Sequence, residues 1–159
     1  MHSWLLGGII AVAVVVVVIK RLAGEPLNAR DLLAAPVILT GLGVASLAKA
    51  EGLTATDGVW SATGAVLGMA AGAWRGSTIA VFEKNGVLWQ RYTGRSFLVL
   101  VITFAAMAGF GLLATRAGMH ESARPTQLNI GVSFLGEALV VGLRGLRSGV
   151  PFAPERSRP

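Results

Sequence analysis

The chain has 159 residues, of which 53% are hydrophobic and only 14% charged, and its formal net charge is +6. A soluble domain carries about a quarter charged residues, so the composition excludes an ordinary soluble enzyme or binding domain. The basic residues lie beside apolar segments and lack the interleaved aromatics of a nucleic-acid surface, and the absence of cysteine removes disulfides, thiolate metal sites and cysteine nucleophiles.

Five apolar segments follow one another: Trp4–Ile19, Leu32–Ala48, Gly58–Trp74, Ser96–Thr115 and Gln127–Leu143. Roughly 20 residues of helix cross the hydrocarbon core, and about 17 suffice in a thin bilayer. The expected fold is an all-α bundle of five transmembrane helices, one domain over residues 1–147.

The first segment is preceded by no Lys or Arg and followed by Lys20-Arg21, the reverse of a signal peptide's charge order. It reads as a retained anchor. Its Val-rich stretch is a poor helix former in water, but in lipid backbone hydrogen bonding makes an isolated span helical. Glu25-Pro26 interrupts the helix that follows. Asn28 or Asp31 can cap the second span, and Pro36 falls in its first turn or just inside, where a missing N–H matters least. Asp57 is the expected cap of the third span.

Residues Thr78–Tyr92 read differently. Asn85-Gly86 suits a two-residue type I′ turn, with β-branched and aromatic residues on both sides. The turn predicts a short cytoplasmic β-hairpin in which Lys84 faces Val87, Phe82 faces Trp89 and Ala80 faces Arg91. Trp89 and Tyr92 suit the membrane interface. The tail, residues 148–159, has three prolines and no apolar period, and is expected to be disordered.

Eleven of the fourteen basic residues fall on one side of this plan: Lys20, Arg21, Arg30, Arg75, Lys84, Arg91, Arg95, Arg144, Arg147, Arg156 and Arg158. Lys49, Arg116 and Arg124 fall on the other. The positive-inside rule sets the N-terminus outside and the C-terminus in the cytoplasm.

Few residues offer more than packing. Gly64, Gly68 and Gly72 step by four along the third span and allow close helix approach, which places that span centrally. Packing within the bundle is favoured over a seam between two copies or with another membrane protein. Glu137 is the one acidic residue deep in a span. It shares a face with Asn129, Ser133 and Arg144, a polar stripe that reads equally as a proton or ligand site and as a carboxylate locking helices together, with Arg144 as its charge partner. Thr40, Thr63 and Thr103 more simply bond back to their own helices. His2 and His120 read as solvent-exposed rather than as ligands, so no metal or cofactor is implied.

Gly24–Leu27 and Arg30, the glycine-ridged third span running into Arg75-Gly76, and Trp89–Tyr92 together resemble the CcdC-like family of small bacterial membrane proteins, especially its actinobacterial members, over roughly Lys20–Arg144. The resemblance implies a place in a bacterial cell membrane and a small size class, and it transfers no site residue; a role beside the assembly of membrane or cytochrome complexes is the accompanying expectation. The leading expectation is a non-enzymatic membrane accessory or interaction protein, since no catalytic constellation is present. The rival is a small transporter or proton-coupled conduit built on Glu137, and a cavity reaching Glu137 discriminates the two.

Overall fold

The computed structural model describes residues 3–123 and 125–155. Among these the chain forms five long helices: α1 (Ser3–Ala23), α2 (Ala29–Ala48), α3 (Ala55–Thr78), α4 (Gly94–Arg116) and α5 (Thr126–Ser148). Three of them, α2, α4 and α5, are long and apolar enough to cross a membrane. A small sheet of β1 (Glu25–Pro26), β2 (Ala80–Lys84) and β3 (Val87–Arg91) lies at one end, in the order β1-β3-β2. His2, Arg124, Arg156 and Arg158 lie outside the described residues.

Local sequence sets the helix starts. The Asn28 side chain accepts from the N–H groups of Arg30 and Asp31, so Asn28 is the cap of α2. Pro36 lies inside α2, beyond its first turn, and is buried. Thr54 rather than Asp57 caps α3; Asp57 is the third helical residue and completes a capping box. Thr93 and Ser96 form the equivalent box on α4.

Helix α5 packs on both α2 and α3, and α4 packs on α3. Glycines permit these approaches. A Cβ on Gly72 would fall 1.7 Å from the Ser133 carbonyl oxygen, and one on Gly136 would fall 2.2 Å from that of Met69. Gly43 and Gly131 bring α2 and α5 equally close. The ridge on α3 is therefore spent inside the molecule, against α5. The interior place expected for α3 is shared with α5, whose Gly131 and Gly136 make close approaches of their own.

Asn85 and Gly86 both take positive φ, 54° and 77°, as a type I′ turn requires. Ala80 pairs with Arg91, Phe82 with Trp89 and Lys84 with Val87. A lone hairpin is marginal, and this one is covered. On one edge β3 pairs with β1, Pro26 opposite Trp89. Below it Leu27, Ile79, Leu88, Tyr92 and Val141 make a buried cluster, joined by Phe97 and Phe152. Tyr92 is thus a core residue rather than an interfacial one.

The tail departs from the sequence expectation as far as Glu155. The Leu88 N–H donates to the Pro151 carbonyl at 2.9 Å, the Ala153 N–H donates to the Leu27 carbonyl at 2.9 Å, and Ala153 is buried. Composition suggested disorder because prolines cannot extend a helix. The same residues suit an extended strap whose partners lie far away in sequence. Gly149, in the left-handed region at φ 72°, turns the chain from α5 into that strap.

Candidate functional site

Arg75 lies in the last turn of α3, Glu137 near the middle of α5, and Tyr92 just after β3. The three side chains converge. Arg75 Nε donates to Glu137 Oε2, and the Tyr92 hydroxyl donates to Glu137 Oε1. Arg75 is 1% exposed and Glu137 5%. Arg75 Nη1 donates to Thr103 Oγ1 at 3.4 Å, and Nη2 donates to Ser133 Oγ at 3.3 Å. The guanidinium also lies 5.1 Å from the centre of the Phe134 ring. An isolated ion in this setting is costly, so neither member of the pair could be buried alone.

Burial and the Glu137 charge push the Tyr92 phenol up, which keeps it a donor. Arg21 sits over the Tyr92 ring, 5.1 Å from its centre, and the Arg21 carbonyl accepts from the Tyr92 N–H at 2.9 Å. The last turn of α1 is thereby tied to the cluster.

The sequence stripe is only partly assembled. Ser133 and Glu137 meet at Arg75. Arg144 does not reach Glu137: its Nη1 donates to the carbonyls of Gly76 at 3.0 Å and Ile79 at 2.7 Å. A cation is well placed there, since the last carbonyls of α3 lack helical partners and carry the negative end of its dipole. The sequence pattern singles out neither Arg75 nor Tyr92 as a site residue, since Arg75 falls one residue beyond the apolar segment Gly58–Trp74 and counts there as a loop charge. The signal was present: Gly76 continues the four-residue glycine step and carries the helix past Arg75. Thr63 bonds back to the Val59 carbonyl at 2.8 Å and Thr103 to that of Leu100 at 3.0 Å, whereas the Thr40 hydroxyl is buried without a partner.

Two cavities flank the ion pair. One, of about 220 Å³, lies between α3, α4 and α5 and runs from Trp60, Met119 and Pro125 to Arg75, Thr103 and Ser133. The other, of about 580 Å³, lies between α2, α5 and the sheet and runs from Asn85, Val87 and Pro154 to Glu137 and Phe134. Arg75 lines the first and Glu137 the second. The pair is a septum between them.

At the far end of the bundle, His120 Nδ1 lies 3.0 Å from Asp57 Oδ2 and the His120 N–H donates to Asp57 Oδ1 at 2.9 Å. The His120 side chain is 61% exposed while that of Asp57 is fully covered. His120 is thus exposed as expected, and also a clasp joining the loop after α4 to the start of α3. Backbone N–H bonds from Thr54 and His120 hold the Asp57 carboxyl well below the usual carboxylate range. Among the described residues no group of three His, Asp or Glu side chains could hold a metal.

No family model matches the chain, and no curated protein or solved structure matches it either.

Proposed function

We propose that the chain is a five-span protein of the bacterial cell membrane, N-terminus outside and C-terminus in the cytoplasm, that acts as a small proton-coupled conduit gated by Arg75 and Glu137. Two further helices support the span count. Helix α1 is 21 residues long with an apolar sequence. Helix α3 is 24 residues long, and it exposes Val59, Val66 and Trp74 while its glycines dilute its hydropathy. The orientation rests on charge: Lys20, Arg21, Arg30, Lys84, Arg91 and Arg95 gather at the end that carries the sheet.

One observation carries the conduit reading: the two members of a buried ion pair line two different cavities that reach opposite ends of the bundle. A pair made only to lock helices needs no cavity on either side. Intramembrane ionisable groups beside cavities mark proton and solute paths in general. A proton delivered to Glu137 from the sheet side weakens its hold on Arg75 and opens the septum.

The test is reconstitution into vesicles with an enclosed pH dye. The wild-type chain should dissipate an imposed pH gradient faster than empty vesicles, and Glu137→Gln should not. Flux equal to that of empty vesicles sinks the conduit. The second reading, an accessory protein whose pair is a lock, is favoured by the way Tyr92, Thr103 and Ser133 complete the bonding of the pair.

A further inference from the structure

We infer that the cavity between α3, α4 and α5 binds a short amphiphile bearing one carboxylate, with its head on the Nη1/Nη2 edge of Arg75 and its chain among the apolar walls. This rests on the reading of Arg75 and Glu137 as a gate, and it names what passes.

The guanidinium is a planar fork of five donors. Nε is committed to Glu137. The opposite edge reaches only two hydroxyls, at 3.4 and 3.3 Å, long against the usual N–H···O distance of about 2.9–3.0 Å. Both hydroxyls, Thr103 and Ser133, belong to the cavity wall, so this weakly bonded edge is the one that meets the cavity. A carboxylate matches such an edge with two parallel bonds. No Asp or Glu lines the cavity to repel an anion. Its other walls include Met107 and Phe110, and Asn129, whose Oδ1 lacks a partner. Helix α4 packs on α3 but not closely on α5, which leaves the slot open. At about 220 Å³ it lies below the roughly 300–1,000 Å³ of pockets for drug-sized ligands. The occupant is therefore a short chain.

Charge balance then links the ligand to the proton. With Glu137 ionised the pair is neutral, and an added carboxylate leaves one net negative charge in a low-dielectric site. A proton on Glu137 restores neutrality. The groups facing Glu137 are Arg75 from α3 and the Tyr92 hydroxyl; Arg21, Glu25 and Asp31 share its cavity from α1, β1 and α2. Arg75 thus serves two anions in alternation, and carboxylate binding on one side is coupled to protonation of Glu137 from the other.

The experiment uses the full chain in zwitterionic nanodiscs and reads quenching of Trp60, which lines the cavity, by bromohexanoate and by uncharged bromohexanol. Bromohexanoate should quench saturably and bind about tenfold tighter than the alcohol. Trp60→Phe should remove the saturable component. Ala108→Phe, which fills the cavity without touching the ion pair, should abolish binding while preserving the melting temperature. Glu137→Gln, which frees Arg75 permanently, should tighten bromohexanoate binding by about tenfold and remove its pH dependence. Equal or purely linear quenching by acid and alcohol overturns the site. Unchanged or weaker binding in Glu137→Gln overturns the coupling. If Glu137-dependent proton flux persists while quenching is linear, this inference fails and the gate stands. Saturable binding without flux defeats the gate instead.

Discussion

Arg75 and Glu137, 62 positions apart, join α3 to α5 through an Nε–Oε2 bond between two side chains that are nearly inaccessible. Each neutralises the other, and the hydroxyls of Tyr92, Thr103 and Ser133 add three further bonds around the pair. Removing one partner should therefore cost more than removing both. We expect Arg75→Met to destabilise the protein by about 3–5 kcal/mol, because it strands a buried carboxylate. Glu137→Gln keeps an acceptor but still strands the cation. The double variant Arg75→Met with Glu137→Met should recover most of the loss. Thermal unfolding in detergent measures all three, and additive losses would show that the pair is not coupled.

The glycine contacts differ sharply along the chain. At Gly72 an added methyl meets the Ser133 backbone, which cannot swing away, whereas at Gly41 nothing lies within 4 Å. Gly72→Ala should force α3 and α5 apart and cost about 1–3 kcal/mol or more. Gly41→Ala should be neutral or slightly stabilising, by up to about 1 kcal/mol, since alanine is the better helix former. Equal melting temperatures for the two variants would contradict the α3–α5 packing.

Asp57 supplies an acid-sensitive clasp. Its carboxyl is held below the usual range in the folded state, so the folded chain binds its proton less readily than the unfolded chain. The stabilisation is complete above the unfolded aspartate pKa of about 4 and fades as pH falls through that value and below. We expect Asp57→Asn to lower stability at neutral pH, and the gap from wild type to close on acidification. A constant gap between neutral pH and about pH 3 would assign the effect to packing rather than to ionisation.

The strap after α5 gives a further local test. Phe152 touches Gly145 and the cluster around Leu88. Phe152→Ala should cost about 2 kcal/mol, less than the roughly 3–5 kcal/mol of a fully buried ring, because Phe152 is only partly buried. Proteolysis should then cut the chain beyond Gly149 faster than in wild type. No change in either measurement would mean that the tail does not brace the sheet.

Topology is checked with reporter fusions. Fused at Pro159, a cytoplasmic reporter should be active, and fused at Ala50, an exterior one. An exterior signal at Pro159 is incompatible with five spans and the proposed orientation.

Patterns local in sequence were legible from the sequence alone. Apolar runs marked the helices, because lipid or protein must cover them. Asn85-Gly86 marked the turn, because two successive positive φ angles suit few residue pairs. The step of four from Gly64 to Gly72 marked a close helix approach, because residues four apart share a face. What the sequence left open was the partner of each polar group. Glu137 had Arg144 seven residues along its own helix, and that proximity suggested a pair. The fold instead places the end of α3 against the middle of α5, so Arg75 takes the carboxylate and Arg144 takes the free carbonyls of Gly76 and Ile79. Tyr92 turned inward and the tail became a strap for the same reason. Burial in the fold demands that each charge and each exposed backbone edge be satisfied, and only the tertiary arrangement determines which distant residue is within reach.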